Sequence, residues 1–225
     1  MKLTNLFGLT ETLIGGSLLI SIGLVTGGAT SSIPTTPPSF ALPQSTVISN
    51  SAIANDFRDA NSPGAIAVGV AEGTRTPDGG VTSAYKGHTD PGNAAPNVGT
   101  FSCQPGTCSS RTPREADAEL LTKRLQPALS KAVITRPDLT RLEAWVYADM
   151  LVQAPLAGEA WLKDYNTADR SRGLDGIVDA RVRAFYNPAG QLEAPGFGND
   201  IARLRADQMR RTRALAATFI GKGVD

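Results

Sequence analysis

The N-terminal part of the chain carries a long apolar run, LIGGSLLISIGLVTGGA, from Leu13 to Ala29. A run of about 17 apolar or small residues lies at the lower limit for a membrane-spanning helix and slightly exceeds a signal-peptide core. Residues 1–29 are therefore predicted to be a membrane anchor or a signal segment, with the N-terminus on the cytoplasmic side. Gly28 and Ala29 are small enough for signal cleavage, so both alternatives stay open.

A Pro/Ser/Thr-rich segment follows at residues 30–49. Prolines fix φ and cannot donate a backbone hydrogen bond, so this segment is predicted to be an extended spacer. The remaining residues, 50–225, are long enough to form one globular domain with a real core. We expect that domain to lie outside the cytoplasm, on the periplasmic or cell-wall side. It would be membrane-anchored if the N-terminal segment is retained, and secreted if it is cleaved.

Helical signals dominate the globular part. Ser62 and Pro63 are good helix-start residues, and Gly73 is a natural left-handed stop for a helix that ends at Glu72. A capping box at Thr112–Glu115 predicts another helix, which Pro127 should kink or split. Apolar spacing predicts further helices from Asp138 to just before Pro155, at Leu156–Tyr165, at Leu174–Tyr186 and at about Asp200–Ile220, the last with Ile201, Leu204, Leu215 and Phe219 facing inward.

Residues 74–112 are rich in Gly, Pro, Asn, Asp and Thr and are predicted to form loops. A short hairpin is expected between Val81–Tyr85 and Thr100–Cys103. The predicted fold is thus α+β and mostly α-helical, with a small β/loop lobe after the first helix. Loops on a rigid scaffold often carry functional sites, so chemistry should be sought in this lobe.

The two cysteines, Cys103 and Cys108, lie five residues apart across Pro105 and Gly106. Both intervening residues form turns readily, so the spacing suits a small closed loop. A disulfide is predicted if the domain is outside the cytosol, and a reduced pair is the alternative.

Composition excludes several classes of function. The chain has 22 basic and 21 acidic residues, so it lacks the basic excess of a nucleic-acid-binding surface. His88 is the single histidine, which argues against zinc sites built from several imidazoles. We predict no metal and no cofactor.

Glu72 is the strongest candidate for chemistry, because it is predicted to end an apolar helix. The negative end of the helix dipole and an apolar wall would both favour a neutral, protonated carboxyl group. Such a group can act as a general acid in glycoside cleavage. The alternative is a solvated Glu72, or one paired with the nearby Arg75. Two other arginines, Arg181 and Arg183, are interpreted as ordinary surface charges.

The order of motifs along residues 60–105 resembles the lysozyme superfamily. Glu72-Gly73-Thr74 follows a helix, and a Tyr-containing loop with Asp90, then Gly99-Thr100-Phe101 and Gln104, come after it. The pattern is most similar to phage endolysins of the transglycosylase type and to bacterial lytic transglycosylases. The resemblance implies a lysozyme-like domain that acts on the glycan strands of peptidoglycan, with Glu72 as its catalytic acid.

The resemblance also implies roles for the residues around Glu72. Thr74 and Asp90 would support catalysis, while Tyr85, His88, Phe101 and Gln104 would bind sugar. Each has a structural alternative: Asp90 could cap a turn, His88 could pack within its loop, and the aromatic side chains could belong to the core.

The sequence departs from related phage hydrolases, which place an Asp and a Thr beyond the catalytic Glu. The corresponding positions, near Val81 and Gly87, are not of that type. This favours a single-acid lytic transglycosylase over a hydrolase with two carboxylates. The rival hypothesis is a catalytically inactive, lysozyme-like module that binds the wall or another protein. A protonated Glu72 facing a cleft would favour the enzyme, and an exposed or Arg-paired Glu72 would favour the binding module.

Overall fold

A computed structural model describes residues 49–90, 94–109 and 112–223, and the predictions made for residues 1–48 lie outside this part. The described residues belong to one of two units of the chain. None of the helices described there is both long and apolar enough to cross a membrane.

The described chain is mostly helical, as predicted, with very little β structure. Its α-helices are α1 Asn50–Asp56, α2 Pro63–Glu72, α3 Pro113–Leu120, α4 Gln126–Thr135, α5 Arg141–Gln153, α6 Pro155–Asp164, α7 Thr167–Arg170, α8 Gly173–Arg183 and α9 Ile201–Gly221. The short helices α1 and α7 were not predicted. Because α1 comes first, the loop lobe follows the second helix rather than the first.

Local signals set most helix boundaries. Gly73 ends α2 in the left-handed conformation, with φ of 78°, as its lack of a side chain allows. Thr112 and Glu115 form the predicted capping box of α3. The predicted start of α5 at Asp138 is wrong, because the helix begins at Arg141 behind a second capping box at Thr140.

Pro127 has the effect that the sequence predicts. It has no N–H to donate to the preceding turn, so a regular α-helix cannot run through it without adjustment. The structure accommodates it with a π-helical turn at Leu121–Leu125, which separates α3 from α4.

The predicted hairpin is wrong. A 3₁₀ turn at Ser83–Lys86 overlaps its first segment, and the antiparallel strands are β1 His88–Thr89 and β2 Pro96–Asn97. Val81 pairs instead with Arg75, and Cys103 pairs with Val98. Tight turns therefore pair Val81 and Cys103 with residues that are nearer in the sequence than the predicted partners.

The long helix α9 packs against α2, α5 and α8. Leu204, Leu215 and Phe219 are buried as predicted, whereas Ile201, at the first turn of α9, is 50% exposed. Phe219 meets Trp145 of α5 edge to face, with the ring centroids 5.2 Å apart. This packing brings the middle of α9 against the end of α2, where Glu72 lies.

Candidate functional site

Hydrogen bonds to the loop lobe fix the turn that carries Glu72. The side chain of Thr74 is fully buried. Its Oγ1 lies 2.5 Å from the carbonyl oxygen of Thr100 and 3.1 Å from that of Gly69. Thr74 therefore fastens the end of α2 to the lobe, which is a positioning role for the turn.

Arg75, which was considered as an ion-pair partner of Glu72, binds other groups. Its Nε donates to Thr100 Oγ1 at 2.9 Å, and its Nη2 donates to the carbonyl of Ala60 at 2.9 Å. Its Nη1 donates to the carbonyl of Gly79 at 3.1 Å. Arg75 thus joins the loop lobe to the segment before α2 and forms no ion pair with Glu72 in the described structure.

Asp117 of α3 also binds Thr100, and the sequence alone did not identify Asp117. Its Oδ1 accepts from the backbone N–H of Thr100 at 2.6 Å, and its Oδ2 accepts from the Thr100 hydroxyl at 2.8 Å. Burial raises the pKa of Asp117, although these bonds and the charge of Arg75 oppose that shift. Burial, with the added charge of Asp117, likewise raises the pKa of Tyr85. The guanidinium of Arg75 lies 5.2 Å from the centre of the Tyr85 ring.

His88 and Asp90 are bound within their own loop. His88 Nδ1 lies 3.1 Å from the carbonyl oxygen of Ala84. Asp90 accepts from Asn97 Nδ2 at 3.3 Å, and its backbone N–H donates to Ala95 at 2.8 Å. These contacts match the structural alternatives, loop packing for His88 and turn formation for Asp90.

The remaining predicted sugar contacts lie in and beside the core. Phe101 is only 1% exposed, so its ring offers no face to a sugar in this structure. The backbone carbonyl of Gln104 accepts from Thr107 and Cys108, which shapes the turn of the small cysteine loop. The predicted disulfide between Cys103 and Cys108 is present, with the two Cα atoms 6.1 Å apart.

Glu72 is paired with an arginine that lies 139 residues away in the sequence. Its side chain is 11% exposed, and its Oε1 accepts from Nη2 of Arg211, on α9. The same guanidinium binds Asp149 of α5 at two points along one edge: Nε donates to Oδ2 at 3.0 Å and Nη2 to Oδ1 at 2.6 Å. Arg211 therefore lies between two carboxylates.

A second buried guanidinium completes the network. Arg181 of α8 has no exposed surface, so its interpretation as a surface charge is wrong. Its Nη2 donates to Asp149 Oδ2 at 2.5 Å, and its Nε donates to Gln208 at 2.6 Å. Arg183 is half exposed, as expected, and pairs with Asp169.

Two carboxylates and two guanidinium groups make up this buried group, so their formal charges cancel. Burial opposes ionisation of Asp149, but the two guanidiniums outweigh it and lower the pKa of that carboxyl group. Burial also works against the charge on Arg211, yet Asp149 and Glu72 together raise its pKa. Among the described residues, Arg181 forms an ion pair with Asp149 alone, and burial lowers the pKa of Arg181. We call Glu72, Arg211, Asp149 and Arg181 the buried charge network.

Comparison of the chain with protein-family models, curated proteins and solved structures gives no match. Among the residues described, no group of three His, Cys, Asp or Glu side chains is placed to hold a metal ion.

The arrangement suits a fixed, charged carboxylate better than a proton donor. A charge-assisted hydrogen bond from a guanidinium is strongest to an ionised carboxylate. If Glu72 took up a proton, two buried guanidiniums would share the single charge of Asp149. Removing one partner from a buried ion pair is costly, because it leaves an uncompensated charge in a poorly solvated site.

Proposed function

We propose that the globular part is a non-catalytic, lysozyme-like module that binds the glycan strands of peptidoglycan on the outer side of the membrane. The observation that carries this proposal is the ion pair between Glu72 and Arg211. Glu72 occupies the position that the resemblance gives to the catalytic acid, but it serves here as the counter-ion of a buried arginine.

The ion pair with Arg211 works against the use of Glu72 as an acid. A catalytic acid must carry its proton at the start of the reaction. In the buried charge network that proton would remove one of the two negative charges facing Arg211 and Arg181. The cost of leaving a buried charge uncompensated is about 3–5 kcal/mol, and it is smaller where water reaches the site, as it does at Glu72.

Two features support a location outside the cytoplasm. The Cys103–Cys108 disulfide is typical of an oxidising compartment. The apolar N-terminal run and the Pro-rich spacer after it would present the domain to the wall. The nearly balanced charge of the chain favours recognition of sugar by hydrogen bonding and stacking rather than by bulk electrostatics.

The test is to incubate the full-length protein with purified, insoluble peptidoglycan and analyse both fractions. We expect the protein to sediment with the wall and mass spectrometry to find no released muropeptides. Glu72→Gln should sediment as well as a Glu193→Gln control, a change of an exposed carboxylate. Soluble products that appear with the wild type and vanish with Glu72→Gln would refute the non-catalytic proposal. A folded protein that stays in solution would refute wall binding.

The second candidate is an active muramidase of the lytic transglycosylase type. It is favoured by the position of Glu72, which is the last residue of an apolar helix, 11% exposed, in a Glu-Gly-Thr turn. In that scheme Glu72 protonates the glycosidic oxygen as the bond to it breaks. The resulting carboxylate then removes the proton from a hydroxyl of the same sugar, whose oxygen closes the anhydro ring. Anhydro-muramyl products would identify this reaction, and reducing-end products would indicate a hydrolase.

A further inference from the structure

The two carboxylates of the buried charge network differ in the number of guanidinium groups that they bind. Asp149 accepts from two guanidiniums, those of Arg211 and Arg181. In the described structure Glu72 forms an ion pair with Arg211 alone. Loss of Arg211 would therefore leave Asp149 neutralised by Arg181, whereas Glu72 would have no countercharge.

We propose that Arg211 is a silencing contact: its guanidinium stabilises the Glu72 carboxylate, and its removal would make that carboxyl group easier to protonate. The proposal rests on the proposed function, in which the native Glu72 is a counter-ion. Arg211 acts through Glu72 and is thus a positioning residue. An apolar helix end and 89% burial of the side chain would both favour the neutral carboxyl once the guanidinium is gone.

The other charged groups near Arg211 bind elsewhere in the described structure. On α9, Arg210 directs Nε and Nη2 to Asp207 Oδ1, at 3.1 and 2.7 Å, and its Nη1 to the carbonyl of Ala71 at 2.9 Å. On α8, Arg181 is committed to Asp149 and Gln208. On α5, the nearest charge is Asp149 itself, which is negative and further disfavours a second carboxylate.

The experiment follows the Glu72 carboxyl by NMR in full-length protein carrying ¹³C-labelled glutamate, with Glu72→Gln to assign the resonance. Three forms are compared: wild type, Arg211→Gln and the matched control Arg210→Gln. We expect the titration midpoint of Glu72 to move upward by about one unit or more in Arg211→Gln and to stay unchanged in Arg210→Gln. Equal midpoints in the two variants would overturn the proposal.

A measurement on the wild type covers the case in which Arg211→Gln does not fold. If Arg211 holds Glu72, the Nη resonances of Arg211 will shift over the same pH interval as the Glu72 carboxyl carbon. Arg211 resonances that stay fixed across that interval would also overturn the proposal.

Peptidoglycan digestion by the same variants separates this inference from the proposed function. Cleavage gained by Arg211→Gln and lost in Glu72→Gln/Arg211→Gln would support both the silencing contact and the glycan target. A raised Glu72 midpoint in Arg211→Gln, together with failure of the folded wild type to sediment with peptidoglycan, would uphold the role of Arg211 and count against peptidoglycan as the ligand.

Discussion

Replacing Asp149 with Asn tests whether the buried charge network holds the helices together. Asp149 has no exposed surface and accepts three short hydrogen bonds, two from Arg211 and one from Arg181. Asn has nearly the same size, so packing changes little. However, it removes the charge and turns two amide hydrogens toward guanidinium groups that also donate.

The expected loss of stability follows from the guanidinium charge that Asp149→Asn leaves without a partner. Without Asp149, Arg181 has no ion-pair partner in the described structure, and Arg211 keeps only Glu72. Stranding a charge in this way costs about 3–5 kcal/mol. For a domain of this size the loss corresponds to a fall in Tm of about 10 °C.

The assay is urea or thermal unfolding of wild type, Asp149→Asn and the control Asp164→Asn, a change at an exposed position on α6. The control should lie within about 0.5 kcal/mol of the wild type. The network also carries a pH signature. Because the folded-state pKa of Asp149 is lowered, its contribution is present above the unfolded-state value of about 3.9 and is lost as pH falls through the folded value. An Asp149→Asn variant as stable as its control would refute the reasoning.

Two further predictions concern the loop lobe. Gly99 has φ of 81°, and a Cβ there would lie 2.6 Å from Asp117 Oδ1, so Gly99→Ala should cost about 3 kcal/mol by urea unfolding. Gly106→Ala, with φ of 91° but open space around the new Cβ, should cost only about 1 kcal/mol, and equal losses would contradict the steric argument. Replacing Cys103 and Cys108 with Ser should cost about 2 kcal/mol, since the bond closes only a short loop. Reductant should lower the Tm of the wild type and leave that of the double variant unchanged.

The sequence predicts those features whose determining contacts are local. The capping box at Thr112, the stop at Gly73 and the break near Pro127 each depend on residues within about four positions, and the structure contains all three. Strand pairing was predicted wrongly because several turns compete in a Gly-rich segment. Val81 could pair with either of two partners, and the tight turn that follows Arg75 selected the nearer one.

The partner of Glu72 could not be found from nearby sequence. Arg75 lies three residues away and is the obvious choice, yet it is used by the loop lobe, and Arg211 is supplied by α9. The location of Glu72 at a helix end was predictable, whereas its ion-pair partner depends on tertiary packing.

A usable signal nevertheless exists in the helical periodicity. Leu204, Leu215 and Phe219 define the buried stripe of α9, and Arg211 lies on it, four residues before Leu215. Asp149 follows the fully buried Trp145 by four residues, and Arg181 follows the buried Ile177 by four. A charge on an apolar stripe has to find an opposite charge inside the protein, because an unpaired one is too costly to bury. Arg211 and Arg181 carry two positive charges, and Asp149 balances only one of them. A carboxylate at the end of another buried helix can balance that charge. The periodicity therefore indicates that Glu72 is a counter-ion for a buried arginine.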